Sequence, residues 1–168
     1  VAPAGPHCEQ YHSQDGLRGG LWRYADRARA NAIGLDTAGW GFAEPRDFGV
    51  YRVRDAGHFL FHAPFETGLA HGASFGHGPG GALPRAIGHE WDLTTATLVR
   101  MTRHWPADAA RPEAQAGIQV IAEGIRQVPG RLDAYLDGVE GPVDELDGLS
   151  CEMVYWERPA GGRVFNAG

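Results

Sequence analysis

The chain contains no lysine; all 15 of its basic residues are arginine. Against 21 acidic residues this leaves a net charge of −6, which argues against a nucleic-acid partner. The arginine bias is compositional, of the kind a genome rich in G and C imposes, and has no function attached to it. Missing lysine also rules out a phosphate loop at Gly76-His77-Gly78-Pro79-Gly80-Gly81, which lacks the Ser or Thr of that motif as well. Cysteine is nearly absent. Cys8 and Cys151 would permit one long-range disulfide, but nothing marks a disulfide framework, and two reduced thiols are the expectation. No apolar run approaches the roughly 20 residues of a membrane helix. A cytoplasmic protein with no membrane partner is expected.

Glycine and proline are plentiful, at 25 and 11 residues, while the apolar fraction is a modest 43%. Together they predict an α+β chain, strand-rich, with long Gly-rich loops and few short helices. At 168 residues, 1–168 suits a single domain or most of one. The chain opens in loop-like Ala2-Pro3-Ala4-Gly5-Pro6 and stops at Gly168 directly after a strand pattern. A fragment or a processed subunit is therefore expected.

Leu17, Leu21, Ala25 and Ala28 recur at helical spacing and predict a short amphipathic helix ending near Gly34. Residues 36–49, broken by Gly, Pro and Trp, read as irregular. Val50 to Arg54 and His58 to His62 read as short strands around Asp55-Ala56-Gly57. Gly68 to Gly81 is too rich in glycine for an element interior. Ala86 to Asp92 reads as a strand or strand end. Leu93 to His104 is open: Thr94, Thr95 and Thr97 favour strand, Leu98 and Met101 helix. Gly117 to Glu123 is assigned to a buried strand, although Ile118, Ile121, Ala122 and Ile125 also fit a helical face. Leu132 to Leu149, acidic and glycine-punctuated, reads as loop. Val154-Tyr155-Trp156, the turn Pro159-Ala160-Gly161-Gly162, then Val164-Phe165 predict an antiparallel hairpin.

Eight histidines invite a metal reading. His58 and His62 lie four apart, but on a strand they would stand about 13 Å from each other, too far for one ion. His71 and His77 suit solvated loop positions. No metal site is expected within the chain. In His89-Glu90-Trp91-Asp92, an extended backbone would aim Glu90 and Asp92 the same way, as a carboxylate pair or as supports for a neighbouring group. The plainer alternative is a strand end with solvated acids. Tyr11-His12-Ser13 places a base and a hydroxyl on a glycine-flanked loop, although neighbours in sequence do not make a nucleophile–base pair.

Four patches together resemble one family. They are Tyr11-His12-Ser13 with Gly19-Gly20-Leu21-Trp22-Arg23; Thr67-Gly68-Leu69 with Phe75-Gly76; Gly88-His89-Glu90-Trp91-Asp92; and Tyr155-Trp156-Glu157 running to Pro159-Ala160-Gly161-Gly162-Arg163-Val164-Phe165. In this order they are similar to the C-terminal region of the large (β) subunit of N,N-dimethylformamidase and its homologues. The resemblance implies part of an α/β glutamine-amidotransferase-like fold. It also implies hydrolysis of a small amide C–N bond, with iron held by two Tyr and one Glu beside a His in the intact family enzyme. The family's His-Pro-Glu-Tyr-Trp segment, which supplies the Glu and His, is not in this sequence. No iron ligand carries over, and Tyr11, His12, Glu90 and Asp92 are the candidates for pocket or supporting groups. The implied partners are the remainder of the large subunit or a second subunit, and a small amide substrate. The alternative is a noncatalytic β-rich binding or assembly module presenting Trp40 or Trp105. Elemental analysis of the gently purified chain is expected to find no stoichiometric iron. One tightly held iron per chain, lost on mutating residues within it, would refute that.

Overall fold

A computed structural model describes residues 30–40, 49–77, 90–102, 107, 111–126, 133–136, 139–142 and 148–168. Its centre is a five-stranded antiparallel sheet ordered β3-β2-β5-β8-β9, formed by β2 (Gly49–Val53), β3 (Ser74–Phe75), β5 (Ile118–Arg126), β8 (Leu149–Glu157) and β9 (Arg163–Asn166). Two antiparallel pairs accompany it: β1 (Asp36–Trp40) with β4 (Glu90–Leu93), and β6 (Asp133–Leu136) with β7 (Val139–Pro142). The helices are short: α1 (Ala30–Ile33) and α2 (Thr95–Met101). The α+β, strand-rich expectation holds at this level.

β5 and β8 form the spine. Their register sets Ile118 opposite Trp156, Val120 opposite Val154, and Glu123 opposite Glu152, with an irregularity at Ile121. The Ile121 carbonyl there accepts from both Arg54 and Asp55, at 2.9 and 3.2 Å. This contact fixes where the chain leaves β2.

Because successive strand residues face opposite ways, the sheet has two distinct faces. One carries Tyr51, Val53, Ala122, Cys151, Met153 and Tyr155. Two apolar clusters form here. Tyr51, Ala122, Leu149 and Cys151 pack with Leu93, Leu98 and Met101; Val53, Ile121 and Tyr155 pack with Phe61. Phe75 and Met153 touch both clusters and join them into one core. Each fully buried Leu or Met contributes about 1.5–3 kcal/mol here. Cys151 is a buried free thiol, and burial pushes its pKa up to about 12, so it is chemically inert at neutral pH.

The predicted terminal hairpin is present. Tyr155 pairs with Phe165 and Trp156 with Val164. Arg158 and Gly162 close the turn at 3.0 Å, with positive φ at Gly161 and Gly162. The strand at Gly117 to Glu123 is also found and runs on to Arg126. Gly34 (φ 82) ends α1 as the C-terminal glycine signal implies. The predicted helical positions before Ala30 lie outside the described residues.

Other expectations need correction. His58 to His62 is not a strand: Phe59–Phe61 is a 3-10 turn capped by the His58 ring, which accepts from the Leu60 N–H at 3.4 Å. Asp36–Trp40 is a strand despite its glycine, because β4 provides a partner. Within the acidic 132–149 stretch, β6 and β7 pair as a hairpin, with Tyr135 opposite Glu140. The open segment after Leu93 resolves as helix. Thr94, whose β-branched side chain favoured strand, is instead the N-cap, its hydroxyl accepting from the Thr97 N–H.

The connection from β2 to β3 is tied down at its base by Gly72 N–H to Val53 O and Val53 N–H to Ala73 O, both 2.9 Å. Within it His62 has an acceptor at each ring nitrogen: the Glu66 carboxylate lies 2.8 Å from Nδ1, and the Ala56 carbonyl 2.8 Å from Nε2. Only the imidazolium can donate to both, and the Glu66 contact raises the His62 pKa above its ordinary value. A raised folded-state pKa stabilises the fold fully below the unfolded value, and the contribution fades as pH rises through the folded value. An NMR titration of the His62 ring should therefore give a midpoint above that of a free histidine, falling toward it in Glu66→Gln. Identical midpoints in the two proteins would show that the clasp is not made in solution.

Candidate functional site

The opposite face of the sheet bears the polar residues. Arg52, Glu123 and Glu152 follow one another across β2, β5 and β8 as register partners. Above them opens a cleft of about 390 Å³, floored by Ile118 and Val120 and walled by Arg54, Thr94, Ala96, Thr97, Arg100, Gln115, Glu123 and Glu152.

Glu152 is the most constrained of these groups. It is 3% exposed in the otherwise apolar run Cys151–Trp156. A buried carboxylate is costly unless donors surround it. Here Oε2 accepts the Thr94 N–H at 2.7 Å, and Oε1 accepts the Thr97 hydroxyl at 2.7 Å. Both donors belong to the first turn of α2, so the carboxylate fastens that helix to β8. The adjacent Thr95 hydroxyl donates to Asp36 Oδ2 at 2.7 Å, tying the same turn to β1. Three threonines in four residues thus bind the helix start to two strands, and this explains why β-branched residues occupy a helix N-terminus.

Glu123 is held differently. Arg52 Nη2 approaches Oε2 at 3.1 Å and Arg54 Nε approaches Oε1 at 3.2 Å. Each carboxylate oxygen has its own guanidinium, which fixes the acid and also poses Arg54 at the mouth of the cleft. Arg100, in the last turn of α2, is exposed and makes no ion pair among the described residues. Gln115 donates from Nε2 to Asn31 Oδ1 at 3.0 Å, but its Oε1 is buried with no hydrogen-bond partner.

Of the expected site residues, two are placed. Tyr11 and His12 lie outside the described residues. Glu90 lies in β4, paired with Trp40. Asp92, also in β4, is 8% exposed rather than solvated, and its charge adds to the upward push on the Tyr51 hydroxyl and the Cys151 thiol. It therefore belongs to the core side near Tyr51 and is not among the residues lining the cleft. Sequence reading missed Glu152, Glu123, Arg54, Arg100 and Gln115. One signal was available: a lone acid within Cys151-Glu152-Met153-Val154-Tyr155-Trp156 must be buried in a strand and must have donors.

Among the described residues no group of three or more His, Cys, Asp or Glu side chains could hold a metal ion. Tyr51 donates its hydroxyl to the Ala167 carbonyl and Tyr155 donates to Glu157 at 3.0 Å. Among the described residues, the iron implied by the resemblance therefore meets no fitting ligand set. No described helix is long and apolar enough to cross a membrane. No family model, curated protein or solved structure matches the chain.

Replacing Glu152 by alanine should lower unfolding free energy by roughly 2–4 kcal/mol, since a buried N–H and a buried hydroxyl lose their acceptor. Glu152→Gln, which keeps one carbonyl oxygen, should cost clearly less. Urea unfolding of the three proteins checks this, and a Glu152→Ala midpoint equal to the parent's would contradict it.

Proposed function

We propose that this chain is the C-terminal portion of a dimethylformamidase-like amidohydrolase, to which it contributes a polar pocket wall. The observation that carries the reading is the cleft itself. It combines an apolar floor at Ile118 and Val120 with the guanidinium of Arg54, held by Glu123, and the exposed guanidinium of Arg100. A small amide has that dual character, with alkyl substituents and a strongly polar carbonyl. The four sequence patches and their order support the family. In this reading Arg54 and Arg100 orient the amide oxygen, Ile118 and Val120 receive its alkyl groups, and Glu123 and Glu152 hold the walls in place. The bond-breaking machinery, including the family's iron, comes from the remainder of the large subunit or a second subunit.

A second reading, a noncatalytic binding or assembly module, draws on the opposite face. Tyr155 touches Phe59 in an edge-to-face contact at 5.1 Å and pairs with Phe165 across the ladder. Phe59 and Phe165 are 48% and 56% exposed, so the three rings make a partly open aromatic row. Of the tryptophans expected to form such a face, Trp40 lies in β1, and Trp105 lies outside the described residues.

The two readings separate by assay. The isolated chain should release no amine from dimethylformamide or formamide above background. Co-expressed with a segment carrying the family's His-Pro-Glu-Tyr-Trp stretch, it should do so, and Arg100→Ala should raise KM several-fold. Metal-independent amine release by the chain alone would sink the proposal. So would a stable co-expressed complex that hydrolyses no amide.

A further inference from the structure

The five-stranded sheet ends at β9, and the terminal hairpin fixes which backbone groups that edge presents. Arg158 donates its N–H to the Gly162 carbonyl at 3.0 Å, so the Arg158–Gly162 pair bonds inward across the ladder. Along an antiparallel ladder such pairs alternate with pairs whose backbone groups point away. Val164 and Asn166 therefore turn their N–H and C=O toward Trp156 and Val154, while Arg163 and Phe165 turn theirs outward. Among the described residues nothing takes up these outward groups. The end of α1 rests on the polar face instead, where a Cβ at Gly34 would stand 3.2 Å from Ile118 and 3.6 Å from Val154, and it makes no backbone hydrogen bond to β9. Open edges are normally blunted by proline, lysine, a bulge or an inward charge. β9 reads Arg-Val-Phe-Asn, pairs with β8 without a register shift, and has its one charge 3.2 Å from Glu157. Phe165, in the strand's interior, is 56% exposed.

We infer that β9 pairs antiparallel with β9 of a second copy of this chain, about a two-fold axis through Val164, joining the two sheets edge to edge. This register sets Arg163 of each copy opposite Phe165 of the other, so every outward donor of one strand meets an outward acceptor of its mate. The side chains agree with the backbone. Phe165 lies beside Tyr155, and Arg163 beside Glu157, on one face. The axis inverts that row, so the aromatic half of one copy abuts the charged half of the other. Each guanidinium then meets an exposed ring, a cation–π contact made twice by symmetry. An axis through Phe165 would set Arg163 against Ala167, whose carbonyl already accepts from the Tyr51 hydroxyl. An unrelated extended strand would satisfy the backbone but would not bring a cation to Phe165 and a ring to Arg163 together. That self-complementarity selects a second copy. None of these residues lines the cleft, so the inference stands apart from the amide reading.

The test is analytical ultracentrifugation with amide hydrogen exchange on the 168-residue chain over a range of concentrations. A monomer–dimer equilibrium is expected. The Arg163 and Phe165 amides should gain protection as concentration rises, while Val164 and Asn166 stay protected throughout. In a mixture of ¹³C-labelled and unlabelled chains, an intermolecular NOE should link the Val164 Hα protons of the two copies. Phe165→Ala should weaken the dimer about tenfold. Phe165→Pro also removes an outward N–H and should weaken it about tenfold further, leaving the β8–β9 ladder, which does not use that N–H, in place. Cross-strand NOEs between Trp156 and Val164 report that each variant keeps its hairpin. Phe59→Ala, on the ring row but off the edge, should leave the dimer unchanged. A monomer at every concentration, a dimer indifferent to Phe165→Pro, or one lost equally in Phe59→Ala would each overturn the inference. So would an edge that accepts an added extended peptide but no second copy.

Discussion

The fold turns on one buried carboxylate. Glu152 sits in the central pair of strands with almost no solvent contact, and its two oxygens are occupied by the backbone of Thr94 and the hydroxyl of Thr97. Without those donors the charge would be intolerable in an apolar strand; without the charge the first turn of α2 would lose its anchor. The dependence is mutual. It fixes the helix against the sheet and sets the position of Ala96 and Arg100 beside Ile118 and Val120. A cleft of defined shape follows from a contact that is itself structural. Glu152 is a positioning residue: with both oxygens engaged, it is poorly placed to move protons.

The sheet also separates two chemistries by simple alternation. Cys151, Met153 and Tyr155 look into an apolar core, while Glu152, Val154 and Trp156 look the other way. The irregularity at Ile121 preserves this division, because it brings Ala122 opposite Met153 and Glu123 opposite Glu152. Without the extra residue, every side chain beyond it would exchange faces. The same irregularity presents the Ile121 carbonyl to two N–H groups at the end of β2, and so directs Arg54 toward Glu123. One bulge thus supports both the core and the polar ladder.

What was legible in the sequence was local. Pro159-Ala160-Gly161-Gly162 sets its own turn, and its flanking aromatic and β-branched residues pair whatever lies around them. The strand from Ile118 onward could be recognised from its β-branched run and the glycine before it. Segments decided by distant partners were misread or left open. Asp36–Trp40 looks irregular until β4 is placed beside it. Thr94 to Thr97 is open between strand and helix until Glu152 and Asp36, more than fifty residues away in sequence, take up its hydroxyls and N–H. His58-Phe59-Leu60-Phe61-His62 alternates like a strand, yet His58 caps a turn and Phe61 is drawn into the core with Val53. The cleft was illegible for the same reason. Its residues come from the end of β2, from α2 and its cap, from the approach to β5 and from two central strands, and no short motif spans more than one of these segments.

The histidine clasp and the cleft leave β2 from the same point. The backbone of Arg54 is held by Ile121 and, through its carbonyl, by His71 Nδ1 at 2.8 Å. Just beyond it begins the segment that His62 closes onto Ala56. Arg54 therefore has its side chain on Glu123 at the cleft mouth and its backbone at the root of a loop that carries the exposed rings of Phe59 and Phe65. A partner that docked on those rings would press on the segment adjoining Arg54. Its effect on the cleft would still be small, because Glu123 holds Arg54 through one oxygen while Arg52 holds the other. The second guanidinium keeps the acid in place when the first moves, so the polar ladder buffers the cleft against displacement of the loop.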